Sequence, residues 1–213
     1  MIFQEFEKKI VKITKMQLPG ETAQFKMAPM DRLAELKRIA YKKNTAKRAG
    51  VMALFYPAID NKTHLALILR KTYKGVHSAQ IGFPGGKYEE SDSSLQETAL
   101  RETEEEVGVN RESVSVLKKL TEIYIPPSNF FVQPFVGIAT ETPQFILQDE
   151  EVEELIEVPL LHFMDDRIKT IQTLSTSYAK NIEVPAFMMN KHLVWGATAM
   201  MLNEVREMLK ELL

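Results

Sequence analysis

Residues 85–109 read GGKYEESDSSLQETALRETEEEVGV, and the architecture is read outward from this stretch. Gly85 and Gly86 mark a loop. Ser94 and Glu97 have capping-box spacing, and Leu95, Ala99, Thr103 and Val107 recur every four residues, so a helix is predicted over residues 93–107. At about 100° per residue, Glu102, Glu105 and Glu106 fall within an arc of about 100° on that helix. The apolar stripe fills the neighbouring arc, so three carboxylates line the margin between a packed face and a cleft. Local physics opposes this. Like charges at i,i+3 and i,i+4 repel by roughly a few tenths of a kcal/mol per pair, and the macrodipole disfavours anions in the last turn. A divalent cation that seeks oxygen is the economical compensation. Taken singly, a glutamate run is usually a solvated face, and Arg101 a surface partner for Glu97 or Glu105. Together, two glycines, Arg-Glu, two more Glu and a closing Gly would occur by chance in roughly one chain in 10⁵ to 10⁶, which favours function for the set.

Upstream, Val51–Tyr56 is an apolar run of strand length, residues 60–62 make a turn, and Leu65–Leu69 is the return strand of a β-hairpin. Downstream, strands are predicted at 114–125, 131–139, 152–158, 167–173 and 182–188, and a closing helix from Gly196 to Leu213. The irregular alternation implies a mixed α/β (α+β) fold rather than a regular doubly wound sheet. Residues 1–16, with Ile2, Phe3, Phe6, Ile10 and Ile13 near helical spacing, and residues 30–43 are predicted helices. Leu18-Pro19-Gly20 separates them, so residues 1–45 read as an N-terminal helical arm and 46–213 as the main domain. The amphipathic arm also makes a homodimer an expectation.

The 213 residues suit one decorated domain. With 45% hydrophobic and 26% charged residues there is material for a core, so general disorder is excluded. A formal net charge of -2 gives no basic field, so nucleic acid is not an expected partner. The absence of cysteine removes disulfides, thiolate metal sites and cysteine nucleophiles, so a metal must be held by oxygen or imidazole. No run of about 18 apolar residues exists to span a membrane. Glu5, Glu7, Lys8 and Lys9 interrupt any signal-peptide core. A cytoplasmic protein is the expectation. Trp195 and the 11 methionines read as core filling.

The stretch around residues 85–109 resembles the Nudix box, the loop–helix–loop signature of pyrophosphate-cleaving hydrolases. The family pattern is Gly, five residues, Glu, seven residues, then Arg-Glu-aliphatic-x-Glu-Glu-x-Gly-aliphatic. Here the acid at the sixth step from Gly86 is Asp92, eight residues separate it from Arg101, and Thr103 takes the aliphatic position. The extra residue resembles one subgroup, the coenzyme A pyrophosphatases. So does the leader Leu67-Ile68-Leu69-Arg70 with His77-Ser78-Ala79-Gln80-Ile81-Gly82-Phe83-Pro84-Gly85-Gly86-Lys87, where Ala79 stands for the usual Gly. Downstream, Phe130–Gly137, Glu151–Leu160 and Val194–Ala199 add to the likeness, which spans roughly residues 48–205.

That resemblance implies a Nudix-like mixed sheet between helices and hydrolysis of coenzyme A or acyl-CoA, with Mg²⁺ or Mn²⁺, to 3′,5′-ADP and a phosphopantetheine part. It implies Glu105 and Glu106 as metal ligands, Glu102 as a ligand or the group that orients or deprotonates water, and the Gly85 carbonyl as a further ligand. Arg101 would hold one of these carboxylates. Another acid is expected from outside the box; of Glu150, Glu151 and Glu153, Glu151 is favoured. Arg70, Lys71, Lys74 and Lys87 are candidates to meet substrate phosphates, and His77 to sit beside them. Rival expectations are another small-molecule substrate (ADP-ribose, NADH or a nucleoside triphosphate) and a nucleotide sensor without catalysis. Intact Glu102, Glu105 and Glu106 argue against the sensor.

Overall fold

Met52 to Tyr56 are fully buried, as a strand with no polar alternation requires. They belong to β1 (Lys47–Pro57), the centre of an eight-stranded mixed sheet. The computed structural model describes residues 1–29, 45–71, 80–175 and 181–213. β1 runs parallel to β7 (Phe130–Ala139), in register from Lys47 opposite Phe130 to Phe55 opposite Ile138. Its other edge pairs antiparallel with β4 (Gly85–Lys87) at one end and β2 (Thr63–Arg70), its hairpin partner, at the other. β2 carries β3 (Ile81–Gly82) and β8 (Val152–Pro159). β7 carries β5 (Val114–Lys119) and β6 (Ile123–Ile125). The single strand expected at 114–125 is thus two: between them, Leu120 bonds through its N–H to the Pro134 carbonyl and through its own carbonyl to Gln133 Nε2. A second sheet, β9 (Lys169–Leu174), β10 (Ile182–Met189) and β11 (His192–Trp195), is antiparallel throughout.

Strand alternation sends Ala53, Phe55, Leu65 and Leu67 into one core and Met52, Leu54, Tyr56, Ala66 and Ile68 into another, on the two faces of the sheet. The first core takes α1 (Phe3–Ile10), a following 3₁₀ turn over Val11–Lys15, and the closing helix α5 (Gly196–Leu212). The N-terminal apolar stripe lies in this core: Phe3, Phe6, Ile10 and Ile13 are buried, and Phe6 meets Phe55 at 5.1 Å between ring centroids. The stripe that motivated a dimer is therefore covered by the chain itself except at Ile2, which is exposed. After Leu18-Pro19 the chain resumes as the short α2 (Gly20–Gln24), tied to α5 by Gln24 Nε2 donating to the buried Glu204 at 2.9 Å. The helix expected at 30–43 lies outside the described residues. The one-turn α4 (Leu160–Met164), unforeseen by periodicity, follows β8.

The second core takes α3 (Leu95–Val107), the helix predicted from the opening stretch. Ser94 Oγ accepts from the Glu97 N–H at 3.2 Å, as the capping spacing required. α3 lies so close to β1 that a Cβ at Gly50 would collide with the Leu95 carbonyl oxygen, so a glycine is needed there. Among the described residues, no helix is long and apolar enough to cross a membrane.

Candidate active site

The last turn of α3 fixes the site. Gly108 ends the helix in the left-handed conformation, its N–H bonded to the Glu104 carbonyl at 2.8 Å. The exposed carbonyls at this end then bind an incoming segment: Ile146 N–H donates to Val107 and Gln148 N–H to Glu106, both at 3.0 Å. Glu151 is anchored by its carbonyl, which accepts from Lys71 N–H at 2.9 Å. The outcome is that carboxylate oxygens of Glu102, Glu106 and Glu151 lie within 4.8 Å of one another, from half-buried, buried and exposed residues respectively.

Glu106 is 1% exposed. Its Oε2 accepts from Gly85 N–H at 2.8 Å and its Oε1 from Arg70 Nη2 at 2.7 Å. Burial pushes its pKa up to about 7, against the pull of Arg70 and the Gly85 amide and with help from Glu102 and Glu151. Burial likewise raises Glu102, against the pull of Arg101. The Glu102 carboxylate lies against Gly86, where any Cβ would strike it.

Arg101 is a hub. Its Nε and Nη2 bind Asp92 at 2.8 and 3.0 Å, Nη1 binds Glu105 at 2.9 Å, and Nη2 also meets Glu102 at 3.2 Å and the Lys87 carbonyl at 3.1 Å. Asp92, the substituted acid of the box, also accepts from Thr98 Oγ1 at 2.8 Å and Glu89 N–H at 3.0 Å. These donors, Arg101 first, hold it well below the usual carboxylate range despite burial. Thr103, the other departure, is buried and donates to the Ala99 carbonyl at 2.6 Å, so its hydroxyl is satisfied inside the helix.

The trio read from the helix is therefore divided. Glu102 and Glu106 join Glu151. Glu105 points to Arg101, its side chain 54% exposed. Among the other candidates, the Gly85 carbonyl accepts from Arg70 Nη2 at 2.8 Å, and Lys71 faces Glu153 at 3.6 Å. Lys87 is exposed on the rim of a cleft of about 330 Å³ that begins at Arg70, Gly85 and Gly86. His77 and Lys74 lie outside the described residues. The cleft's apolar lining includes Val51, which pairs with Gly85, and Ile125, Phe130, Val132, Trp195 and Met201. Trp195 is half-buried here, not core as expected, because β11 ends at it and α5 begins at Gly196. This lining was not singled out as a site in the sequence, because its residues come from five separate elements, although Phe130, Val132 and Trp195 lie in stretches that resemble the coenzyme A subgroup.

The donor set suits a hard divalent cation: three carboxylates converge with one arginine bonded to Glu106 and no imidazole among them. Comparison with known proteins agrees. The NUDIX domain family profile matches residues 46–173. The chain thus belongs to the Nudix hydrolases, a class of pyrophosphatase enzymes. Among individual proteins, it is 33% identical over 165 residues to one from Pectobacterium atrosepticum described as an uncharacterized Nudix hydrolase NudL, covering 72% of this chain and 79% of that protein. A NudL of Yersinia enterocolitica is 44% identical over 96 residues, 45% of this chain and about half (49%) of that protein's length. In fold it is similar to the crystal structure of the Nudix hydrolase RenU from M. Smegmatis, with a TM-score of 0.52 and 14% identity over 79% of this chain and 88% of that one.

Proposed function

We propose that the protein hydrolyses the diphosphate of coenzyme A or an acyl-CoA, releasing 3′,5′-ADP and (acyl-)4′-phosphopantetheine. The observation that carries this is the trio Glu102, Glu106 and Glu151, joined through Arg70, Gly85 and Gly86 to a cleft whose lining combines Arg70 and Lys87 with mainly apolar residues. Such a cleft suits a diphosphate attached to a long, weakly polar arm. The coenzyme A leader, with Arg70 and Lys87 both on the cleft, supports the same reading.

Glu102, Glu106 and Glu151 would hold Mg²⁺ or Mn²⁺, with the Gly85 carbonyl as another ligand on leaving Arg70, while Glu105 would act through its bond to Arg101. When bound, the cation neutralises the diphosphate and lowers the pKa of water. Water is the nucleophile at phosphorus, and the phosphoanhydride oxygen leaves with the other product, so no covalent enzyme intermediate forms. Glu102 or Glu151 orients or deprotonates that water. Arg101 positions Glu102 from behind, and Lys87 meets phosphate at the rim. A cytoplasmic location fits the substrate.

The test is product analysis by mass, with Mg²⁺ and with Mn²⁺, over coenzyme A, acyl-CoA, ADP-ribose, NADH and nucleoside triphosphates. The expected result is 3′,5′-ADP, with highest kcat/KM on a coenzyme A substrate. Faster cleavage of ADP-ribose, or no 3′,5′-ADP, would sink the substrate assignment.

A further inference from the structure

A single atom, Arg70 Nη2, bridges two groups assigned above to the cation: Glu106 Oε1 at 2.7 Å and the Gly85 carbonyl at 2.8 Å. The register between β2 and β8 shifts at Leu69/Arg70, and such a bulge re-aims the side chain that follows it. The Arg70 side chain is 25% exposed and lines the cleft, so it borders both solvent and open volume. Without this arginine the buried Glu106 would have Gly85 N–H as its one remaining donor, facing Glu102 and Glu151, and an unpaired buried charge is strongly destabilising.

Resting on the metal assignment, we propose that Arg70 is a built-in stand-in for the divalent cation. It holds Glu106 and Gly85 together in the metal-free protein, gives up both partners when the cation loads, and swings into the cleft to meet the substrate diphosphate. Metal loading and exposure of a diphosphate-binding arginine are then one event. A phosphate-binding residue that remained independent of the metal would leave Glu106 alone.

The test needs no turnover. Mn²⁺ affinity is measured by electron paramagnetic resonance on the full chain and on Arg70→Gln and Arg70→Lys, with circular dichroism as a check on folding. A charged hydrogen bond given up on loading predicts that Arg70→Gln binds Mn²⁺ about tenfold more tightly than wild type, with Arg70→Lys between. Binding of methylenediphosphonate, a non-cleavable diphosphate, to the Mn²⁺-loaded protein should weaken about tenfold in Arg70→Gln. Equal or weaker Mn²⁺ affinity in a folded Arg70→Gln overturns the stand-in role, and unchanged diphosphonate affinity overturns the swing. If Arg70→Gln does not fold, wild type decides: the ¹⁵N side-chain signal of Arg70 should shift on Mg²⁺ titration, and a signal unmoved at saturation overturns the proposal. No Mn²⁺ binding by wild type would sink the metal assignment itself, a result distinct from equal affinities.

Discussion

Asp92 and Glu106 are both buried carboxylates that face an arginine, yet their acidities shift in opposite directions. Asp92 accepts from four donors: Arg101 Nε and Nη2, Thr98 Oγ1 and Glu89 N–H. Glu106 accepts from two, Arg70 Nη2 and Gly85 N–H, and has Glu102 and Glu151 as neighbours. The first pair is complete as it stands, and it holds the loop over 87–92 against α3. The second is short of positive charge, and its shortage is what a cation would supply. A buried ion pair at the edge of a site is therefore not by itself a mark of function; what distinguishes the working carboxylate is its unmet demand.

Two substitutions break the comparison most forcefully. Glu106→Gln should lower metal-dependent kcat by about 10³-fold or more while changing the free energy of unfolding by less than about 1 kcal/mol, since relief of buried charge offsets a lost acceptor. Asp92→Asn should cost about 1.5–3 kcal/mol in urea unfolding, because Arg101 loses its main charged partner while keeping Glu105 and Glu102. Equal destabilisation by the two would erase the distinction. Glu105→Gln ranks below both. Held outward by Arg101, Glu105 acts through a ligand, and its loss should reduce activity about tenfold. A loss as large as that of Glu106→Gln would mean that Glu105 leaves Arg101 to bind the cation directly, the role the family resemblance implied.

pH separates the same two groups. Glu106 titrates near 7 in the folded chain against an ordinary value of 4.5. A raised folded value stabilises most below the unfolded value, and that contribution is lost as pH rises through about 7. Metal-free protein should therefore lose thermal stability between about pH 4.5 and 7 on account of this group. Asp92 has the opposite sign: its lowered value contributes stability above the unfolded value, lost as pH falls below it. Saturating Mn²⁺ should abolish the Glu106 slope and leave the Asp92 limb intact, as read from melting curves across pH. Mn²⁺ affinity should fall as pH drops below about 7, because the proton and the cation compete for one carboxylate.

Much of this was legible in the chain because local rules carried it. Ser94 and Glu97 announced α3, the unbroken run Val51–Tyr56 announced the central strand, and the spacing of Glu102 and Glu106 placed both on one margin. Periodicity could not divide Glu102, Glu105 and Glu106, since the arc on a helix does not say which neighbour waits across the gap. Arg101 turned Glu105 away, and Glu151 arrived through backbone bonds from Ile146 and Gln148 to the end of α3. Asp92 looked like a departure from a pattern; its structural role appears only with Arg101, Thr98 and Glu89 around it. Trp195 misled for the same reason. A large aromatic in an apolar stretch reads as core until the chain is seen to turn there.

Trp195 gives the smallest expected effect and probes the apolar lining of the cleft, which includes neither carboxylate. It is the chain's one tryptophan, so tryptophan fluorescence, excited where tyrosine does not absorb, reports on the cleft lining. If the arm of the substrate lies along Phe130, Trp195 and Met201, an acyl-pantetheine fragment without any diphosphate should change that fluorescence in metal-free protein. Adding one methylene to the acyl chain should tighten binding about fourfold, the value of about 0.8 kcal/mol of apolar burial. Trp195→Ala should raise KM about tenfold with kcat nearly unchanged, the signature of binding shared by ground and transition states. A fall in kcat at constant KM would instead tie Trp195 to the geometry of the carboxylates, and the separation between the charge-hungry carboxylates and the apolar lining of this cleft would no longer hold.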